Sequence, residues 1–314
     1  MSADGPTVRR LPAPAAAVAL SWELSLTGLL IGLLVGMTGM GGGALLTPLL
    51  ILLFGFKPTL AVGTDILHGA VFKTFGAIRH RRLGTVHAHL TLWMLAASAP
   101  MSLVGVQLAE WLEGRYGNGA DSVSAKVIGA ALILGGLGFL AKTYVHRGVQ
   151  PDDAPFILGR SEHVIAVALG ATGGFIVGLT SVGSGTFFAL VMLLVFPLTA
   201  AKIVGTDIFH AAGLLWVAGI SHLLHGNVDL GAMGWLLLGS VPGILLGSQL
   251  TVRLPDRALR VGLATVLLLS GIELLDVPGS SFLTPLVLAG GIVLLAWTEL
   301  RRLNGRVAAA ERAS

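Results

Sequence analysis

Two copies of the tetrapeptide Val-Gly-Thr-Asp, at residues 62–65 and 204–207, place carboxylates inside strongly apolar segments. A histidine follows each Asp three residues later, giving the pairs Asp65/His68 and Asp207/His210. Because a helix brings residues i and i+3 to one face and His titrates near neutral pH, each pair could hold and pass protons. The simpler interpretation is that Thr and Asp only cap the start of a helix.

Glycine-rich breaks precede both tetrapeptides, at residues 39–43 (Gly-Met-Gly-Gly-Gly) and 181–185 (Ser-Val-Gly-Ser-Gly). A helix that begins after such a break directs free N–H groups and the positive end of its dipole toward it, which suits an anion. The candidate anion-binding residues are therefore Gly41, Gly42 and Gly43 in the first break and Ser181 and Ser184 in the second. The alternative is that these glycines only allow helices to pack closely.

Three further polar residues are candidates for the same site. Thr64 and Thr206, from the repeated tetrapeptide, offer hydroxyl groups, and Lys73 lies within an apolar segment. Lys73 could neutralise an anionic solute or pair with an Asp, or it could extend its amine toward the interface near Arg79. These residues complete the predicted binding set, with Asp65, His68, Asp207 and His210 as proton sites.

The amino-acid composition indicates that these residues lie in a lipid bilayer and not in water. Hydrophobic residues make up 54% of the 314 residues and charged residues 11%, and the mean hydropathy is +0.85, whereas soluble domains carry about 25% charged residues. The cations form short clusters between apolar runs without interleaved aromatic residues, which argues against nucleic-acid binding. The absence of cysteine excludes disulfides and thiolate metal sites, and we expect no metal or cofactor.

Apolar segments of membrane-spanning character recur along the whole chain, since a span needs about 20 apolar residues. Segments 43–56 and 185–198 are short, and each follows a glycine-rich break. The sequence therefore predicts an all-α polytopic membrane protein with helices interrupted at the breaks. The candidate segments are 22–36, 43–56, 59–78, 88–112, 124–145, 162–180, 185–198, 201–223, 229–252, 257–275 and 282–300.

An internal repeat organises these segments, because residues 28–108 align without a gap on residues 170–250 at a shift of 142. Gly, Pro, Thr, Asp, His and Gln recur in this register, which indicates a tandem duplication with about four to five helical segments in each copy. Whether the copies run parallel or inverted, and which face is cytoplasmic, stay open. The expected boundaries are a tail at 1–20, repeats at 21–146 and 162–276, a linker at 147–161, an extra helix at 277–301 and a tail at 302–314.

At these motifs the chain resembles the TauE/SafE family of sulfite exporters and related permeases. The resemblance rests on Gly39-Met40-Gly41-Gly42-Gly43 with Pro48, on Ala61-Val62-Gly63-Thr64, and on the turns at 84–86 and 226–229. It covers roughly residues 22–300 and implies a multi-pass carrier of the inner membrane. It further implies that the solute is sulfite, a sulfonate or a related sulfur-containing anion.

We expect a secondary transporter of a small anion, with proton coupling as an option, and not an enzyme. The expected partners are the anion and the lipid bilayer, and a homo-oligomer is compatible with the sequence. One alternative is a channel-like or scaffolding membrane protein without coupled transport. A remote alternative is an intramembrane serine hydrolase built on Ser184 with His210 or His222 as base.

Overall fold

The computed structural model describes residues 14–38, 43–116, 120–144, 156–185, 187–250 and 256–277. These residues form ten α-helices joined by short turns, without a β-strand in the described ranges, which confirms the all-α prediction. The helices are α1 (Pro14–Thr38), α2 (Gly43–Leu52), α3 (Pro58–Arg82), α4 (Ala88–Tyr116), α5 (Ala120–Tyr144), α6 (Arg160–Thr180), α7 (Phe187–Val195), α8 (Ala200–Leu224), α9 (Leu230–Leu250) and α10 (Asp256–Leu274).

The helix ends agree with the predicted segments to within four residues, except at the start of α1. That helix begins at Pro14 because the alanine-rich run after it favours helix, so α1 takes in the last part of the predicted tail. Residues 41 and 42 and the predicted extra helix at 282–300 lie outside the described residues. Elsewhere, local chemistry fixes the helix starts: Pro58 opens α3, and the Thr199 side chain accepts a hydrogen bond from the backbone N–H of Lys202 in α8.

Among the described residues, three helices are long and apolar enough to cross a membrane, namely Ala88–Arg115, Arg160–Thr180 and Lys202–Leu224. Shorter apolar helical stretches are Trp22–Val35, Ser122–Gly138 and Leu230–Leu246. Helix α3 differs because it carries Asp65, Lys73 and a basic last turn, yet fifteen of its residues are buried. Asp65 and Lys73 are thus enclosed by other helices and kept from lipid, as intramembrane charges require, whereas the arginines of the last turn are exposed.

The most extensive helix contacts join the first half of the chain (residues 14–144) to the second half (residues 156–277). They are α1 with α9, α4 with α6, α3 with α8, and α5 with α10. Glycines allow the closest approaches, since a Cβ on Gly28 would overlap the carbonyl of Leu236, and one on Gly170 would overlap that of Met94. The next turn repeats the arrangement with Gly32 against Ser240 and Gly174 against Ser98.

Helices α3 and α8 cross at the centre of the bundle. Gly69 faces Leu215, and Gly76 faces Ile208, so residue numbers rise on one helix as they fall on the other. The pair is therefore antiparallel. It carries nearly all the polar groups that the sequence singles out, which places these groups between the two halves.

Candidate functional site

Lys73 is the buried cation at the centre of the site. Its side chain is 3% exposed, and Nζ donates hydrogen bonds to the carbonyl oxygen of Ser184 at 3.2 Å and to the Ser184 hydroxyl at 3.1 Å. This contact joins α3 to the turn between α6 and α7, 111 residues away in sequence. Lys73 therefore does not extend to the interface, and its ammonium is held inside the bundle against Ser184.

The turn at residues 181–185 is shaped by three left-handed residues. Ser181 has φ 61°, Gly183 has φ 115° and Gly185 has φ 111°. Glycine adopts such angles without steric cost, which explains the two glycines in this segment. The turn is buried, and it directs the side chains of both serines toward α3.

Asp65 receives two hydroxyl donors on the same oxygen. Its Oδ2 accepts hydrogen bonds from Thr47 Oγ1 at 2.5 Å and from Ser181 Oγ at 2.9 Å, and the side chain is 2% exposed. Helices α2 and α3 and the 181–185 turn therefore meet at this carboxylate. Since α3 begins at Pro58, Asp65 lies two turns inside the helix and does not cap its start.

The charges around Lys73 come from both halves. Its ammonium interacts electrostatically with the carboxylates of Asp207 and Asp65, and it also acts on the His210 ring. Asp207 and His210 are buried in α8. The cluster thus gathers one cation and two carboxylates in a region of low dielectric, where an uncompensated charge is expensive.

The two predicted Asp/His pairs separate into different contacts. His68 Nε2 bonds to Ser240 Oγ at 2.8 Å, and His210 Nε2 bonds to Ser98 Oγ at 2.9 Å. The Nδ1 atoms of both rings are buried without a hydrogen-bond partner. Each histidine therefore ties its own helix to a serine of the opposite half, and Asp65 is held by hydroxyl groups instead of by His68.

Thr64 and Thr206 lie inside α3 and α8, and their hydroxyl groups contact the starts of two other helices. Thr64 Oγ1 accepts from the backbone N–H of Asp229 at 2.9 Å, and Thr206 Oγ1 accepts from that of His87 at 2.9 Å. Asp229 and His87 immediately precede α9 and α4. The two hydroxyls thus satisfy N–H groups that helix ends leave without partners.

The structure brings Asp65, Lys73, Ser181 and Ser184 into one buried cluster, with Asp207 and His210 in electrostatic range. Gly41 and Gly42 lie outside the described residues, and Gly43 is the first residue of α2. Sequence reasoning missed three hydroxyl residues: Thr47, Ser98 and Ser240. The two serines carried a usable signal, since Ser98 and Ser240 match at the shift of 142; Thr47 matches Ala189 and carried none.

The contacts of Ser184 bear on the hydrolase alternative. His210 bonds to Ser98, and His222 Nε2 bonds to the carbonyl of Gly178 at 3.0 Å. The histidines proposed as bases are thus held by other groups, while Ser184 meets Lys73. Among the described residues, no group of three or more His, Asp or Glu side chains is arranged to hold a metal ion.

Comparison with known proteins now decides the family, because the sulfite exporter TauE/SafE family matches residues 24–274. The chain belongs to this family. It is 37% identical over 256 residues to the probable membrane transporter protein YjnA of Bacillus subtilis (strain 168), covering 82% of this chain and 100% of YjnA. It is 25% identical over 246 residues to the probable membrane transporter protein YdhB of the same organism, covering 78% of this chain and 96% of YdhB.

A third relative, the probable membrane transporter protein YunE of Bacillus subtilis (strain 168), is 24% identical over 275 residues, covering 80% of this chain and 96% of YunE. No solved structure matches the chain. With the helices that are long and apolar enough to span a bilayer, the family and these relatives identify a multi-pass membrane transporter of the cell membrane. Its membership of the TauE/SafE family confirms the resemblance seen in the glycine breaks and the repeated tetrapeptide.

Proposed function

We propose that this TauE/SafE protein is a secondary transporter of a small anion, sulfite or another sulfur-containing anion, which binds at Lys73 and the 181–185 turn. The observation that carries the proposal is the buried Lys73 ammonium against the carbonyl and hydroxyl of Ser184. A buried cation beside hydroxyl donors suits an anion, since charge-assisted hydrogen bonds are strong in low dielectric. The choice of a sulfur-containing anion follows the family's description.

The binding set would also include Gly41, Gly42 and Gly43, at and before the start of α2, and Ser181 in the turn between α6 and α7. In this proposal an anion takes the place of Ser184 beside the Lys73 ammonium. The hydroxyl groups of Ser181 and Ser184 would then donate hydrogen bonds to the anion. Thr64 and Thr206 would act by holding the starts of α9 and α4, given the backbone groups that they already bind.

Proton coupling through Asp65 and Asp207 is the second part of the proposal. Two carboxylates and one ammonium leave the empty cluster with an excess negative charge unless a proton is bound, and an arriving anion adds to that excess. An anion should therefore enter together with protons on the carboxyl groups. His68 and His210, whose Nδ1 atoms are buried without a partner, would carry protons to and from these groups.

We also propose that residues 21–146 and 162–276 are two copies of one unit, joined by a linker at 147–161. Contacts that recur with both partners displaced by 142 residues support it: His210 with Ser98 matches His68 with Ser240 after the halves are exchanged. Thr206 with His87 and Thr64 with Asp229 form a second such pair. Duplicated halves with a site between them are a common design of secondary transporters.

The test is radiolabelled sulfite flux into proteoliposomes with and without an imposed pH gradient. We expect Lys73→Ala and Asp207→Asn to reduce flux by about tenfold or more, the equivalent of about 1.4 kcal/mol, while Lys57→Ala, at an exposed lysine before α3, leaves it unchanged. Unchanged flux in both site variants would contradict the site, and flux that ignores the pH gradient would favour a channel.

A further inference from the structure

We infer that the two halves cross the membrane in opposite directions, and that the face carrying the Arg79–Arg82 end of α3 is cytoplasmic. The inference uses the register of 142 proposed above and the directions of helix contacts, and it requires nothing of the solute.

The directions of six helices follow from contacts alone. On α1 and α9, Gly28 faces Leu236 and Gly32 faces Ser240, so these helices are parallel. Helix α3 is parallel to α9 as well, because Thr64 contacts Asp229 and His68 contacts Ser240. Helices α1, α3 and α9 therefore form a set that points one way.

The other three helices form a second set. On α4 and α6, Met94 faces Gly170 and Ser98 faces Gly174, so they are parallel. Helix α8 is parallel to α4, because Ser98 contacts His210 and Gln107 contacts His225. Since α3 and α8 are antiparallel, α4, α6 and α8 point opposite to α1, α3 and α9.

The shift of 142 pairs α1 with α6, α3 with α8, and α4 with α9. In each pair, one helix belongs to the first set and its counterpart belongs to the second set. Every helix of the second half therefore points opposite to its counterpart in the first half. Two halves arranged in this way are related by a two-fold axis in the membrane plane, and not by an axis along the membrane normal.

Residues on such an axis must meet their own counterparts, and one position within the register does. Trp216 Nε1 donates to Thr74 Oγ1 at 2.9 Å, and 74 and 216 are the same position in the two halves. This self-contact fits a two-fold axis that passes through the α3–α8 crossing.

A cavity fixes the direction of α5. It is lined by Pro58 at the start of α3, Leu112 near the end of α4, Ser124 near the start of α5 and Leu179 at the end of α6. Helix α5 therefore starts at the face where α3 starts. Helix α10 runs antiparallel to α5, as Gly129 with Gly271 and Gly136 with Ala264 require, so α10 starts at the opposite face.

Charge then distinguishes the faces. Of the twelve Lys and Arg residues in the described ranges, eight lie toward one face and three toward the other, and Lys73 is central. Cytoplasmic loops carry the excess of Lys and Arg, so the face with eight is cytoplasmic. The eight are Arg79, Arg81, Arg82, Lys142, Arg160, Lys202, Arg257 and Arg260; the three are Lys57, Arg115 and Lys126.

The absence of cysteine from the chain makes labelling of single introduced cysteines a direct test. Leu83 and His225 are exposed counterparts that immediately follow α3 and α8. We expect a membrane-impermeant maleimide to label His225→Cys in intact cells at least tenfold faster than Leu83→Cys, and both equally after permeabilisation. Equal labelling of both in intact cells, or of neither, would overturn the opposite directions, and the reverse order would overturn the assignment of the faces.

A second matched pair protects the test against a variant that fails to reach the membrane. Lys57 and Thr199, also exposed counterparts, precede α3 and α8. Lys57→Cys should be labelled from outside and Thr199→Cys only after permeabilisation. Labelling needs no transport, so a failed flux experiment leaves this result unaffected, and a failed labelling pattern leaves the Lys73 site unaffected.

Discussion

The first half contributes Lys73 to the buried cluster, whereas the second half has Leu215 at the matching position and contributes Ser181 and Ser184 instead. The close helix contacts show the opposite tendency. Gly28 and Gly170 approach carbonyls at matching positions, and the two histidines bond to matching serines. What the halves share therefore builds the bundle and supplies the two carboxylates, Asp65 and Asp207. What differs between them provides the ammonium of Lys73 and the serine hydroxyl groups of the 181–185 turn.

The largest effects should come from filling the shared helix contacts. Gly28→Ala and Gly170→Ala each place a Cβ onto a carbonyl of the neighbouring helix, and because neither backbone can yield easily, we expect a loss of about 3 kcal/mol in the free energy of unfolding. The measurement is thermal unfolding of the purified protein in detergent. A large effect at one glycine and none at the other would contradict the equivalence of these helix contacts in the two halves.

The control for this pair uses glycines on the partner helices. A Cβ on Gly114 of α4 or on Gly234 of α9 would meet nothing within 4 Å. Gly114→Ala and Gly234→Ala should therefore be neutral or add up to about 1 kcal/mol through better helix propensity.

The next largest effect should come from the residue that the halves do not share. Lys73→Leu copies the second half and removes the ammonium from Ser184. Hydrogen bonds to charged groups contribute about 1.5–3 kcal/mol, so we expect sulfite flux per reconstituted protein to fall between about tenfold and hundredfold.

The double variant Lys73→Leu/Leu215→Lys sharpens the same comparison. It moves the cation to the second half, but there the register supplies Gly42 in the place of Ser184. Flux should therefore stay as low as in Lys73→Leu alone. Recovery to the wild-type rate would show that the halves are interchangeable at this position.

A smaller and matched effect is expected at the histidine contacts. Ser98→Ala and Ser240→Ala each remove the partner of a buried imidazole, and both should cost about 1–2 kcal/mol in unfolding free energy. Flux should suffer more from Ser98→Ala, because its partner His210 interacts with the Lys73 charge. Ser102→Ala, which loses only a bond within its own helix, is the control; equal flux in all three variants would contradict the difference.

The smallest effect is expected where the halves meet at one position. Thr74→Val removes the acceptor of the Trp216 indole and should cost about 0.5–1 kcal/mol. Thr172→Val, whose hydroxyl bonds only within α6, serves as its control. A loss no greater than that of Thr172→Val would show that the self-contact does not stabilise the bundle.

The helices and their ends could be predicted because the signals are local. Apolar length, glycine-rich breaks and prolines lie within each segment, and α4, predicted at 88–112, forms Ala88–Tyr116. The choice of partners could not be predicted in this way. A helix that is apolar on all sides, such as α1, presents no distinct face to sequence analysis, so nothing in residues 14–38 indicates α9.

The residues of the candidate site could be singled out from the sequence, but their contacts could not. Asp65, Lys73, Ser181 and Ser184 stand out as polar residues in apolar segments, but the meeting of Lys73 with Ser184 spans 111 residues. Thr64 illustrates why the contacts could not be predicted, because a threonine hydroxyl can hydrogen-bond to a solute or to a backbone N–H equally well. Only the position of α9 shows that its partner is Asp229.

The pairing of α1 with α9 has a consequence for how the protein is made. The hydroxyl of Ser25 bonds to the carbonyl of Trp235, 210 residues later in the chain. At a synthesis rate of about 5–20 residues per second, the first helix waits on the order of 10–40 s in the bilayer before its closest partner exists. During that interval its glycine-lined surface must be covered by lipid or by a chaperone of the insertion machinery, and the tertiary structure is completed only near the end of translation.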